Sequence, residues 1–164
     1  MQAVPAIEHE LKGYFRLTAP ASWKSGDEEG TMLFLESPDE RCSGIFVGGW
    51  SPAVTEETEI ILMEATKSFI NNGIIEAENQ DVQSAETETM ARGDLLIART
   101  IVELGDCDVW LIDFVFDEKT RRLFLLHANG PRDLILKVVA ASFDTFSTET
   151  SAENDQNDQL SGER

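Results

Sequence analysis

Hydrophobic and polar positions alternate over short stretches in the first third of the chain, which predicts strands. Gly13–Leu17 reads as an opening strand. Pro20 and the polar cluster Ser25–Gly30 then break it, with Trp23 between them folded back onto the core edge. In Thr31–Glu36, Met32 and Phe34 point one way and Leu33 and Leu35 the other, the two-residue period of a strand. Ser37-Pro38-Asp39-Glu40 supplies turn residues. Cys42–Gly49 follows as a third strand centred on Ile45, Phe46 and Val47. The period then changes. Thr55 can cap a helix, and Glu56, Glu57 and Glu59 suit the positive end of its dipole. Leu62, Ala65 and Phe69 recur at helical spacing, widened by Ile61 and Ile70, until Asn71-Asn72-Gly73 stops the helix.

The second half carries the firmest strands. Glu76–Met90 is polar, with Thr87 and Thr89 alternating with acids, as on an exposed strand. Leu95–Leu104 and Val109–Phe116 flank Gly105-Asp106 and read as a hairpin. Asp117–Thr120 is a tight turn, and Arg121–Ala128 returns as the next strand. Trp110–Ile112 and Leu123–Leu126 are apolar at every position, the mark of strands covered on both faces. Pro131 opens a last helix, Pro131–Phe146, whose apolar face includes Leu134, Ile135, Val138, Val139, Phe143 and Phe146. The expected fold class is α+β: an α/β/α layered sandwich with a mostly antiparallel sheet, in the order β-β-β-α-β-β-β-β-α. Residues 1–12 read as an N-terminal extension, 13–146 as a single domain and 147–164 as a disordered acidic tail.

Charge narrows the partners. The 164 residues hold 13 Lys and Arg against 31 Asp and Glu, a net charge of −18. Phosphate contacts need clustered cations, so nucleic acid is excluded as a partner, and an anionic membrane surface with it. The tail accounts for −4 of the −18, which leaves −14 on the body. That acidity reads either as a face that steers a basic partner or as general solubility or salt adaptation. Met1–Glu8 lacks the basic and apolar regions of a secretory signal, and membrane insertion is not expected. The expected location is the cytoplasm. Cys42 and Cys107 lack the spacing of a metal or redox motif and read as separate reduced thiols.

Three polar residues inside apolar strands form the candidate cluster: Arg99, Asp113 and His127. With Gly105-Asp106-Cys107 as the hairpin loop, Arg99 falls opposite Asp113. The pair reads as the floor of a cleft or, more plainly, as a structural ion pair. One choice of loop length puts His127 on the face of Asp113, where the two could do acid–base work. His9 stands in an exposed segment ahead of the first strand, with no neighbouring ligand to make a metal site. Gly44–Trp50 lacks the Lys-Ser/Thr of a phosphate loop and reads as a strand leaving the sheet at Gly48 and Gly49. Trp50 and Pro52 beyond it are the candidate partner contact. No catalytic residue, metal or cofactor is implied by any motif.

Two stretches carry a resemblance. Phe15-Arg16-Leu17-Thr18-Ala19-Pro20 followed by Trp23 resembles the opening of the PsbP-like sandwich family. That family includes photosystem II extrinsic PsbP, Ran-binding Mog proteins and bacterial relatives among which are effector chaperones. Val138-Val139-Ala140-Ala141-Ser142-Phe143 resembles the family's closing helix, and Gly93 before the long hairpin also fits. The resemblance spans residues 13–146 and implies a binding or assembly module. The expected function is a non-catalytic protein-binding module, a chaperone or adaptor for a secreted or assembled protein. The alternative is a small-ligand protein or enzyme with a pocket at Arg99, Asp113 and His127. A homodimer through the exposed strand is a further expectation, opposed by that strand's acids.

Overall fold

A computed structural model describes residues 6–11, 15–28, 32–39, 43–50, 62–69, 82–105 and 108–148. Nine strands are present among them: β1 (Ala6–Leu11), β2 (Phe15–Pro20), β3 (Lys24–Glu28), β4 (Met32–Glu36), β5 (Ser43–Trp50), β6 (Val82–Arg92), β7 (Leu95–Leu104), β8 (Asp108–Asp117) and β9 (Arg122–Pro131). Helix α1 covers 62–69. Helix α2 covers 132–143 as one continuous run, with a π-helical middle, Ile135–Val139, between α-helical ends. The cap at Thr55, the stop at Asn71-Asn72-Gly73, Cys42, Cys107, Pro52 and the tail from 149 onward lie outside the described residues.

Seven strands form one sheet in the order β3-β4-β5-β9-β8-β7-β6, every pair antiparallel. Strands β1 and β2 pair separately. Side chains alternate across a strand, so the sheet has two faces and each grows its own core. On one face Leu95, Ile97, Leu111, Val115, Phe124 and Leu126 pack with Ile135, Val139 and Phe143 of α2 and with Phe15 and Leu17 of β2. On the other, Ala98, Val102, Ile112, Phe114, Phe116 and Leu123 pack with Leu62 of α1. The expected helix–sheet–helix layering is therefore present. Trp23 is buried in the first core, as its place between two breaks implied.

Two strands depart from the expected order. Ala6–Leu11 was expected to be extension, and it pairs residue for residue with β2. Lys24–Glu28 falls in the expected break, yet it pairs with β4 along its whole length. Neither segment has a hydrophobic run; backbone pairing with an apolar neighbour makes them strands. Strand β5 also stays in the sheet to its end, with Gly48 opposite Leu125 and Trp50 opposite Leu123. Its irregularity falls instead between Ser43 and Phe46. Pro131 ends β9 and caps α2 from outside, so the helix starts at Arg132.

The end of α2 is tied back to β2. Thr145 Oγ1 donates to the Ser142 carbonyl (2.6 Å) and accepts from the Thr18 amide (2.8 Å). Ser142 Oγ donates to the Thr18 carbonyl. Arg16 and Ser147 then exchange two backbone bonds of 2.8 Å. Phe146 is thereby stacked on Phe15 (5.5 Å between centroids) and set against Phe124 (5.2 Å). Truncating Phe146 to alanine leaves a cavity where three rings meet, so Phe146→Ala is expected to cost about 3–5 kcal/mol in denaturant unfolding. Met63→Ala, at a residue 38% exposed on α1, is expected to stay within about 0.5 kcal/mol.

Candidate functional site

Asp113 lies in a strand where every neighbour is apolar. On its own face it stands between Leu111 and Val115, opposite Leu126. A buried carboxylate without a partner is costly, and the antiparallel register supplies one. Arg99 of β7 lies directly opposite, as the hairpin loop predicted. Its Nε donates to Asp113 Oδ1 and its Nη2 to Oδ2, both at 2.9 Å, a two-pronged charged pair. The same Nη2 donates to Asp144 Oδ1 at 2.9 Å, from the turn that ends α2. Asp113 is 2% exposed and Arg99 13%, whereas Asp144 is 55% exposed. Burial opposes the Arg99 charge, but the hydrogen bonds and charge of Asp113, then of Asp144, outweigh it and raise the guanidinium pKa. Burial pushes the Asp113 carboxyl up from the ordinary range, against the hydrogen bonds and charge of Arg99.

His127 does not join them. It lies opposite Ile112, on the α1 face of the sheet, with a strand's thickness between it and Asp113. Its ring meets Phe69 (5.3 Å between centroids) and Trp110 (6.3 Å) edge to face. Nε2 is buried and has no hydrogen-bond partner among the described residues. Burial among these rings lowers its pKa to about 4. A pocket shared by Arg99, Asp113 and His127 is thus ruled out by strand parity. His9 is also not in an exposed leader: it is half-buried in β1 opposite Leu17, and burial lowers its pKa. Trp50 ends β5, and its side chain lies outside the described residues together with Pro52. Among the described residues no group of three His, Cys, Asp or Glu could hold a metal. No helix among them is long and apolar enough to cross a membrane.

Two features were not read from the sequence. Asp144 reaches Arg99 across 45 positions, a contact set by where α2 ends and not by any local motif. Beside the pair, a groove of about 640 Å³ opens between β6 and α2. Ile101, Leu111, Leu136 and Ala140 line it, with Arg99 at one side and Glu86 and Glu88 along its rim. The two glutamates pair with no described residue, whereas Arg99 is held by Asp113 and Asp144.

At the level of sequence, no family model and no curated protein matches the chain. Solved structures do. Cyanobacterial PsbP (CyanoP) from Synechocystis sp. PCC 6803 superposes with a TM-score of 0.60 over 90% of this chain and 95% of its own, at 12% identity. The Saccharomyces cerevisiae Ran-binding protein Mog1p superposes with a TM-score of 0.59 over 89% of this chain and 96% of its own, at 9% identity.

Two tests follow from this geometry. Asp113→Asn leaves the Arg99 charge buried with only an exposed partner, so it is expected to cost about 3–5 kcal/mol of unfolding free energy. Asp144→Asn is expected to cost at most about 1 kcal/mol. For His127, the unfolded pKa is about 6.5 and the folded value is about 4. The unfolded chain therefore binds the extra proton between these values. The His127 contribution is complete above pH 6.5 and falls as pH drops toward 4. Unfolding of the wild type and His127→Leu, measured across this window, should show the wild type losing stability relative to the variant. The two neighbours establish the PsbP-like α/β/α sandwich as the fold of this chain.

Proposed function

We propose that this chain is a non-catalytic protein-binding module, an adaptor or chaperone for a protein that is secreted or assembled into a complex. The observation that carries this reading is how the interior polar groups are used. Arg99, Asp113 and Asp144 satisfy one another, and His127 is enclosed by Phe69 and Trp110 on the opposite face. General acid–base or nucleophilic work needs a titratable group within reach of a reacting atom in a cleft. None of these residues is offered in that way.

Two further observations support the reading. Mog1p, whose fold the chain shares, is a Ran-binding protein. A net charge of −18 also favours encounter with a basic partner by long-range steering. The proposal includes a cytoplasmic location, which cell fractionation tests.

The full chain, tagged and used as bait in extract of its native organism, is expected to retain one protein in stoichiometric amount at about 0.05 M salt. At about 0.3 M salt the yield should fall, because screening shortens the reach of the charges. A blank at both salts, joined to thermal stabilisation by a small metabolite, would overturn the reading in favour of a ligand pocket.

A further inference from the structure

Strand β6 ends the seven-stranded sheet, and among the described residues no strand lies on its outer side. It is eleven residues long, and 85–89 are exposed throughout. Such an edge presents unpaired backbone N–H and C=O groups to any extended chain that fits. Its charges decide which chain that is. In an antiparallel pairing of β6 with a second copy about Thr87, Glu86 would stand opposite Glu88. Like charges directly opposite are destabilising, so the carboxylates act against self-pairing. They favour a strand of the opposite sign.

We propose that the outer edge of β6, with the groove behind it, receives an extended basic segment of the partner protein as an additional strand. This rests on the protein-binding reading above and names its site and chemistry. Glu86 and Glu88 are two residues apart and therefore share a face, the one turned toward α2. They lie opposite Ile101 and Arg99 of β7. Lys or Arg at alternate positions of an added strand would reach these carboxylates. The aliphatic stems would lie over Ile101, Leu111, Leu136 and Ala140 on the groove floor. Arg99 does not compete for the rim, because Asp113 and Asp144 already hold it. On the opposite face of β6, Thr87 is bonded to Thr100 (2.7 Å), between Ala85 and Thr89. Those short side chains leave room for β-branched residues in the intervening positions.

The probe is a nine-residue peptide alternating lysine and valine, titrated into the isotopically labelled full chain and followed by backbone amide NMR. Shifts are expected to concentrate in Val82–Arg92 and to weaken with salt. Glu86→Gln and Glu88→Gln, each shown folded by thermal unfolding, should each weaken binding about 1.5- to 5-fold. Methylating alternate backbone nitrogens of the peptide keeps its charge and blocks strand pairing, and should weaken binding at least tenfold. Equal binding by the methylated peptide, shifts centred elsewhere, or Gln variants that bind like the wild type would each overturn the proposal. A native partner still captured in full by the doubly substituted Glu86→Gln, Glu88→Gln chain would overturn this site and leave the protein-binding reading standing. A wild-type bait that captures nothing would remove both.

Discussion

A strand buried on both faces has to be covered by two separate layers, and β8 is that strand. From Leu111 to Asp117 every residue is buried. One face calls for α1, the other for α2 and β2, and the three-layer architecture follows. The constraint also reaches the polar residues. Asp113 falls on the α2 face among aliphatic neighbours, where a carboxylate persists only with its partners in place. Arg99 supplies two hydrogen bonds from the adjacent strand, and Asp144 holds Arg99 from the end of α2. The resulting network spans β7, β8 and the helix terminus. It joins the end of α2 to the sheet, and the Thr18, Ser142 and Thr145 contacts dock that end on β2.

A clamp of this kind commits Arg99 and Asp113 to each other. What it leaves is a scaffold with Arg99 and Asp113 paired inside it. Glu86 and Glu88 stand at the sheet edge, one strand beyond the clamp. Leu136, from the π-helical part of α2, lines the groove behind them. Such segments are rare and often found near functional sites. The fold itself specifies no activity. The site proposed above rests on the charge pattern on β6 and on the groove between β6 and α2, not on the fold alone.

Much of this was legible in the sequence, and the failures have identifiable causes. The pairing of Arg99 with Asp113 could be read because glycine at position 105 localised the hairpin loop. The face of His127 could not, because it depends on the loop between Asp117 and Arg122. One residue more or fewer there would turn His127 to the side of Asp113. The loop closes with Arg121 at φ 59°, its guanidinium over the Phe116 ring at 4.7 Å and its amide bonded to the Asp117 carbonyl. A left-handed arginine leaves no sequence signature. Strands β1 and β3 were missed because pairing, not hydrophobic pattern, makes them. Asp144 was missed because its role comes from a contact far along the chain.

Arg99 and Asp113 are proposed to match each other's charge inside the fold and not to bind the partner. Replacing both at once, Arg99→Met with Asp113→Leu, tests it most directly, since matched apolar groups can substitute for a buried ion pair where single changes cannot. Thermal unfolding and capture of the native partner would be measured on the same preparation. The account predicts a folded variant that retains its partner in undiminished amount. A variant that folds as well as the wild type but no longer captures the partner would contradict it.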